Sequence, residues 1–267
     1  MKKMVLAVLV ISMLLLCSVV TFAKDEETEK SYIELTSKYF FTNDFQLSLA
    51  GEYYYDGIYH LKAKVYSDFS EFIGFSLHNN VRVISISEYN LGTIITYDMF
   101  NSFAVNGAMD NVFGLGLYGN KLFIDKLDVT LGVSTYYALT FNALEVPSTE
   151  HAFGGLKVFA GVDYGVTDKL YLSLNASINL LSLTPLVSNC VNVDLGAKYK
   201  LTNDLSLLGK IGVVYAFEPV NSYDLTFEAG IRYKFNFGLS VGLGVQSSLS
   251  NGLYNDTVLS LSLRYTF

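Results

Sequence analysis

The sequence predicts an all-β fold: a transmembrane antiparallel up-and-down β-barrel of about fourteen strands, with sixteen or twelve as alternatives. Three observations lead to this prediction. Apolar and polar residues alternate along most of the chain, short turns alternate with longer loops, and aromatic residues concentrate at strand ends. Because successive strand side chains point to opposite faces, the alternation predicts strands with one apolar and one polar face.

The composition supports a wall that faces lipid. Charged residues make up 16% of the chain and apolar residues 51%, whereas ordinary soluble domains have roughly 25% charged residues. No stretch after residue 23 approaches the about 20 consecutive apolar residues of a spanning helix. The apolar residues are therefore distributed by alternation, as a lipid-facing barrel requires.

The first residues predict a secretory signal peptide over 1–23. Lys2 and Lys3 precede an apolar stretch from 4 to 20, and cleavage is expected after Ala23. The alternatives are a retained transmembrane helix and a lipidated Cys17. Leu16 disfavours lipidation, because lipoprotein signals resemble one another in having a small residue there. We expect a short acidic lead over 24–30 and a single barrel over 31–267.

Charge and cysteine content exclude two further classes. Removing Lys2 and Lys3 from the 18 basic residues leaves 16 against 25 acidic residues, so the net charge changes from −7 to about −9. An acidic product of export lacks the basic footprint of a nucleic-acid-binding protein. Cys190 alone remains after processing, so no intramolecular disulfide is expected.

The strands are predicted in three sections. The first section is a hairpin of 32–41 and 45–55, joined at Thr42-Asn43-Asp44. The second section, 58–100, has short strands with breaks near 67–70, 78–80 and 87–90. The third section is regular, with strands near 112–123, 127–141, 154–166, 169–180, 191–201, 205–217, 225–235, 238–249 and 257–267.

Connections of two kinds separate these strands. Tight turns share a local sequence over 39–45, 164–170, 199–205 and, more loosely, 233–239. Longer loops are predicted at 101–110, 142–152, 181–189, 218–224 and 250–256, and they contain all three prolines, which are poorly tolerated inside a sheet. Short turns at one end and long loops at the other are typical of the periplasmic and extracellular ends of outer-membrane barrels.

Aromatic residues form two predicted girdles on the apolar face, as at the two interfaces of a bilayer. The girdle near the short turns comprises Tyr39, Phe41, Phe45, Tyr164, Tyr199, Tyr233, Phe235, Tyr265 and Phe267. The girdle toward the long loops comprises Tyr53, Tyr55, Tyr137, Phe141, Tyr215, Phe217 and Phe227.

The predicted strands number fifteen, whereas a bacterial barrel needs an even number. Two corrections each give fourteen. Either one break between 58 and 100 is false, which moves the Thr42 turn to the long-loop end, or segment 32–41 is not a wall strand.

The last strand, 257–267, carries a family resemblance. Leu259, Leu261 and Leu263 continue with Tyr265 and Phe267 on one apolar face, and the strand ends on an aromatic residue. It resembles the assembly signal of bacterial outer-membrane β-barrel proteins, with Ser260, Tyr265 and Phe267 at matching positions and Ser262 in place of glycine. The resemblance implies a location in the outer membrane, contact with its lipid, and recognition by the barrel-assembly machinery.

The polar face of the last hairpins predicts a charged lumen. We call Lys198, Lys210, Arg232, Lys234 and Arg264 the basic set, and expect it to attract anionic solutes as charged rings do in pores. If the loop 218–224 is symmetric about Asn221, Lys210 and Arg232 face each other on adjacent strands. In the alternative interpretation, Asp163, Asp194 and Glu228 pair these cations in a solvated wall.

Catalytic and metal sites have little support. His60, His78 and His151 are expected near the long-loop rim together with acidic residues, and exposed rim residues are common in any loop. Their spacing matches no metal-ligand pattern. No cofactor and no enzymatic activity are predicted.

The sequence therefore predicts a porin-like channel for passive diffusion of small hydrophilic solutes. Its weak anion preference is assigned mainly to Lys198, Lys210, Arg232 and Lys234. The main alternative is a structural or adhesive barrel without an open pore. Inward tyrosines could block such a lumen, and the candidates are Tyr54, Tyr66, Tyr118, Tyr136 and Tyr171.

Overall fold

The computed structural model describes nine segments of the chain: 31–40, 46–55, 58–67, 72–102, 109–124, 126–142, 148–182, 189–218 and 221–267. The predicted signal peptide and acidic lead lie outside these residues and stay predictions. No helix in the described segments is long and apolar enough to cross a membrane.

Fourteen antiparallel strands form a closed barrel in which every strand pairs with its neighbours in sequence, and the first strand pairs with the last. The strands are β1 Tyr32–Phe40, β2 Gln46–Tyr55, β3 Tyr59–Ser67, β4 Phe72–Ile86, β5 Tyr89–Ser102, β6 Met109–Ile124, β7 Leu127–Asn142, β8 Ser148–Gly165, β9 Leu170–Leu180, β10 Asn189–Lys200, β11 Leu205–Glu218, β12 Ser222–Lys234, β13 Leu239–Ser250 and β14 Leu253–Thr266. The predicted fold class is confirmed.

The strand count shows which of the two corrections is right. Segment 32–40 is a wall strand, and the predicted break at 78–80 is wrong because β4 runs through it without interruption. His78, Asn79 and Asn80 are three consecutive polar residues, which hide the alternation of that strand. Asn79 breaks the pattern, since its partners in register are the apolar Leu61 and Ile95.

Because the number of strands is even, the start of β1 and the end of β14 lie at the same end of the barrel. Tyr32 at the start of β1 pairs with Thr266 at the end of β14, and Phe267 N donates to Ser31 O (2.9 Å). The β8–β9, β10–β11 and β12–β13 turns lie at this short-turn end. The β1–β2 connection lies at the opposite end, although its sequence resembles those turns.

The first hairpin is therefore inverted relative to the predicted girdles. Tyr53 and Tyr55 belong to the short-turn end, where the Tyr53 ring lies 6.4 Å from the Phe267 ring. Tyr39, which pairs with Leu259, lies toward the opposite end. Phe41 and Phe45 lie outside the described residues. The later assignments, such as Tyr199 and Tyr215, agree with the topology.

Two of the predicted short turns share one hydrogen-bonding pattern. Thr167 Oγ1 accepts from the backbone N–H groups of Lys169 and Leu170 (3.2 and 3.0 Å). Thr202 Oγ1 accepts in the same way from those of Asp204 and Leu205 (3.2 and 3.0 Å). The hydroxyl replaces a backbone acceptor in the turn, which explains the repeated threonine.

Two predicted long loops are in fact short. β13 and β14 are joined by Asn251 and Gly252, whose φ values of 49° and 80° suit a two-residue hairpin turn. β11 and β12 are separated only by residues 219–221, because Ala216 already pairs with Ser222. The prediction of loops over 218–224 and 250–256 was wrong. β12 and β14 both begin earlier in the chain than their apolar patterns indicate.

Side-chain contacts show which face of the wall is the inner one. Arg232 on β12 reaches Glu34 on β1 (2.7 Å), past the intervening strands β13 and β14. Lys38 on β1 likewise reaches Gln246 on β13 (3.2 Å), past β14. Because side chains can bridge non-adjacent strands only on the concave side of a curved wall, this polar face is the lumen. The opposite face is apolar and exposed, with Leu117 at 62% and Leu131 at 60%.

Candidate functional site

The strand register places the whole basic set on the lumen face, together with Asp194 and Glu228. The predicted opposition of Lys210 and Arg232 is wrong. Lys210 pairs with Glu228 and Arg232 pairs with Ser206, because the β11–β12 hairpin is centred on position 219 rather than 221. The like-charge pair inferred from the sequence does not exist.

Glu34 joins both arginines of the basic set. Arg232 Nη2 donates to Glu34 Oε1 (2.7 Å), and Arg264 Nε donates to Glu34 Oε2 (2.5 Å). The Glu34 side chain is only 8% exposed. The Arg264 guanidinium also lies 3.9 Å from the centre of the Tyr32 ring. Both arginines are thus held against the wall, where β1 meets the last strands.

A second cluster surrounds Glu52 near the short-turn end. Tyr32 Oη donates to Glu52 Oε1 (2.6 Å), which also lies 2.9 Å from His60 Nε2, while Lys62 Nζ lies 3.2 Å from Oε2. Glu52 pairs in register with Glu34, so the two clusters are neighbours on the wall. The clusters together join β1, β2, β3, β12 and β14.

The location of the histidines differs from the prediction. His60 lies at the start of β3, at the short-turn end rather than at the long-loop rim. His78 lies in the middle of β4, and only His151, near the start of β8, lies toward the long loops. In the described part of the chain no three His, Cys, Asp or Glu residues are grouped to hold a metal ion.

The remaining lysines of the basic set have different surroundings. Lys210 Nζ lies 3.1 Å from Asp194 Oδ2, so this cation has a carboxylate partner, as the alternative interpretation expected. No described carboxylate lies within 4.0 Å of Lys198 or Lys234. The charged neighbours of Lys198 are instead positive, namely Arg232, Lys200, Arg264 and Lys234. An excess of positive charge therefore remains where β10, β12 and β14 reach the short-turn end.

A cavity of about 710 Å³ opens beside this excess. Lys198 and Lys210 line one part of it, and Asp128 and Asp163 line another. These two aspartates are direct cross-strand partners on β7 and β8, and Asn120 donates to Asp128. The lining also includes Glu228, the cross-strand partner of Lys210, and Lys126, so side chains of both signs line this cavity.

The nearby β6–β7 and β8–β9 turns are joined by an exposed ion pair. Lys126 Nζ donates to Asp168 Oδ1 (2.6 Å). This hydrogen bond and the positive charge of Lys126 lower the pKa of the Asp168 carboxyl below its ordinary value.

Inward aromatic rings lie over glycines on the adjacent strand. A Cβ atom on Gly74 would overlap the Tyr66 ring, and the same holds for Gly92 with Tyr118 and for Gly132 with Phe159. Each ring pairs in register with the glycine that it covers. Tyr54 differs, since its ring stacks on Tyr32 (5.3 Å between centres). These aromatic side chains lie along the wall.

The residues that match the assembly signal lie where β14 pairs with β1 and closes the barrel. Ser260 is on the lumen face, where it pairs with Lys38 and Gly244. Tyr265 pairs with Ile33 on β1, and its ring lies 6.4 Å from that of Phe267. The assembly role of these residues stays a prediction.

Several lumen contacts could not be found from the sequence. Alternation identifies Glu34 and Glu52 as inward residues, but the pairing of Glu34 with Arg232 joins positions 198 residues apart. The glycine and aromatic pairs also depend on the register. If the hairpin centres had been known, the pairing of an inward glycine with an inward ring on the adjacent strand would have predicted these contacts.

Neither a protein-family model nor a curated protein sequence matches the chain. Solved structures do match its fold. The monoaromatic hydrocarbon channel CymD is similar with a TM-score of 0.62 and 10% identity, covering 90% of this chain and 89% of that one. The toluene transporter TbuX of Ralstonia pickettii gives a TM-score of 0.57 with 11% identity, covering 90% of each chain.

The toluene transporter TodX of P. putida gives a TM-score of 0.53 with 10% identity, covering 93% of this chain and 92% of that one. These similarities agree with the predicted outer-membrane β-barrel fold. The closed barrel and the apolar outer wall agree with the predicted location, because closed barrels satisfy every backbone group inside a bilayer.

Proposed function

We propose that the protein is an outer-membrane channel for the passive diffusion of small hydrophilic solutes, with a weak preference for anions. A barrel of fourteen strands is wider than the roughly eight-stranded kind that side chains fill, and approaches the 16-stranded kind with an aqueous channel. Inward rings that lie on glycines favour an open lumen over a blocked one.

The anion preference rests on one observation. Lys198 and Lys234 lie near the short-turn end of the lumen without a described carboxylate within 4.0 Å, while Lys210, Arg232 and Arg264 are held in ion pairs. Uncompensated charges on the lining of a pore act on ions at close range, where salt screens them least. We therefore assign the preference to Lys198 and Lys234 rather than to the whole basic set.

The choice of hydrophilic solutes rests on the lumen lining. CymD, TbuX and TodX are named as a channel and transporters for aromatic hydrocarbons, which supports a transport role for this fold. The described lumen of this chain carries ion pairs and polar side chains around Glu34, Glu52 and Asp194. Such a lining favours water and polar solutes over hydrocarbons.

The proposed partners follow from the two faces of the wall and its last strand. Outer-membrane lipid covers the apolar outer face, small solutes pass through the lumen, and the barrel-assembly machinery recognises the end of β14.

Single-channel recording in a planar bilayer tests the channel proposal. Purified protein with heat-modifiable gel mobility should give discrete, long-lived conductance steps in KCl. Folded protein that inserts without any conductance would support the alternative, a structural or adhesive barrel.

A further inference from the structure

A second cavity, of about 290 Å³, lies in the middle of the lumen. Residues of β4 and β5 line one side of it, and residues of β7 to β10 line the other. Its polar lining includes the imidazole of His78 but consists mainly of amides and hydroxyls, from Asn80, Ser134, Tyr136, Asn175, Ser177 and Asn192. Asp194, a neighbour of the basic set, lines this cavity, but no residue of the basic set does.

Two cross-strand pairs of polar residues form one side of this cavity. Asn175 pairs in register with Asp194, and Ser177 pairs with Asn192, whose Nδ2 donates to Ser177 Oγ (3.4 Å). Gly161 leaves space for the Asn175 side chain of the first pair, because a Cβ atom at position 161 would lie 2.9 Å from Asn175 Oδ1. The wall is thus shaped around these amides.

The opposite side contributes a buried acceptor. Asn80 Oδ1 is buried and has no well-formed hydrogen bond among the described residues, with His78 as its neighbour on β4. A buried acceptor without a donor is costly, so such groups usually have a partner. A hydroxyl group of a bound solute would supply one.

Few ionisable side chains line this cavity. Lys157 contributes one cation, Asp194 contributes one carboxylate that Lys210 already contacts (3.1 Å), and His78 contributes an imidazole ring. The rings of Tyr136 and Phe159 add apolar faces to the lining. Amides and hydroxyls that both donate and accept, next to aromatic faces, match a solute with hydroxyls on an apolar carbon frame.

We propose that this cavity is a binding site for a neutral polyhydroxylated solute, a sugar or polyol of about one ring in size. Its volume lies just below the roughly 300 to 1,000 Å³ of small-molecule sites, which suits a small solute. The inference deepens the channel proposal and rests on it, because it names a solute class that the lumen would pass.

Saturation-transfer NMR with glucose tests this site, since the method detects weak binding and needs no ion flow. Barrel folded in detergent micelles should transfer saturation to glucose and not to gluconate at the same concentration. The double variant Asn175→Ala/Asn192→Ala should bind glucose at least tenfold more weakly. The control Gln246→Ala removes a lumen amide outside the cavity and should bind glucose like the wild type. Heat-modifiable mobility verifies that each variant is folded.

Three results would overturn the inference: no glucose signal from the folded wild type, an equal signal from the double variant, or transfer to gluconate alone. The channel proposal fails separately. A barrel that binds glucose but shows no conductance in a bilayer would overturn only the channel, whereas a conducting barrel without a glucose signal would overturn only this site.

Discussion

Arg232 and Glu34 form an ion pair across the closure of the barrel, with 2.7 Å between Nη2 and Oε1. Arg232 belongs to β12 and Glu34 to β1, and two strands lie between them. Arg264 on β14 contacts the same carboxylate. One acidic side chain on the first strand therefore holds two cations from the last strands.

Replacing Glu34 should weaken the closed barrel. Glu34→Gln leaves two guanidinium groups, 19% and 26% exposed, without their carboxylate; the cost lies below the about 3 to 5 kcal/mol of a fully buried ion pair, because both groups keep some contact with water. We expect a lower urea midpoint for the loss of heat-modifiable mobility in vesicles. Glu228→Gln is the matched control, since Glu228 has no cation within 4.0 Å among the described residues. Equal midpoints for Glu34→Gln and wild type would contradict the role.

The position of Tyr66 against Gly74 predicts an effect on conductance. Gly74→Ala puts a methyl group where the Tyr66 ring lies, so the ring must turn away from the wall into the lumen. We expect a smaller single-channel conductance in this variant. Gly74→Ala/Tyr66→Ala should recover the conductance or exceed it. An unchanged conductance in Gly74→Ala would show that the ring does not border the water-filled path.

The inverted first hairpin predicts which connections reach the cell surface. An epitope inserted at Asn43, between β1 and β2, should bind antibody on intact cells. The same epitope at Asn203, in the β10–β11 turn, should bind only after the outer membrane is permeabilised. Surface labelling at Asn203 but not at Asn43 would show that the barrel has the opposite orientation in the membrane.

The end of β14 predicts a dependence of assembly on Phe267. Its backbone N–H bonds Ser31 O, and its ring lies 6.4 Å from that of Tyr53. Deleting Phe267 should sharply lower the amount of folded barrel in the outer-membrane fraction. Phe235→Ala, which removes an exposed aromatic ring of the same girdle, should have a small effect. Wild-type levels in the deletion would refute the assembly role.

Alternation was enough to predict the fold class and most strands after residue 109, because a wall between lipid and water imposes one polarity on each face. It failed at β4, where Asn79 places an amide among apolar partners and the sequence reads as a turn. That false break also placed His60 and the first aromatic residues at the wrong end of the barrel.

The candidate site was predictable as a face but not as a set of contacts. Period-two alternation identifies Lys210 and Arg232 as inward, whereas their partners depend on hairpin centres. An error of two positions at the β11–β12 turn moved the expected partner of Lys210 from Glu228 to Arg232. The contact of Arg232 with Glu34 additionally requires barrel closure, which no local pattern encodes.

The reversal potential of single channels in a KCl gradient tests the proposed anion-preferring channel most directly. The wild type should conduct and show a reversal potential on the anion-selective side. Lys198→Gln/Lys234→Gln should shift it toward cation selectivity, because these two lumen cations lack a described carboxylate within 4.0 Å. Lys121→Gln is the control, since that lysine lies over the Tyr89 ring, away from the basic set, and should cause no shift. Cation selectivity in the wild type, or an unchanged potential in the double variant, would contradict the account.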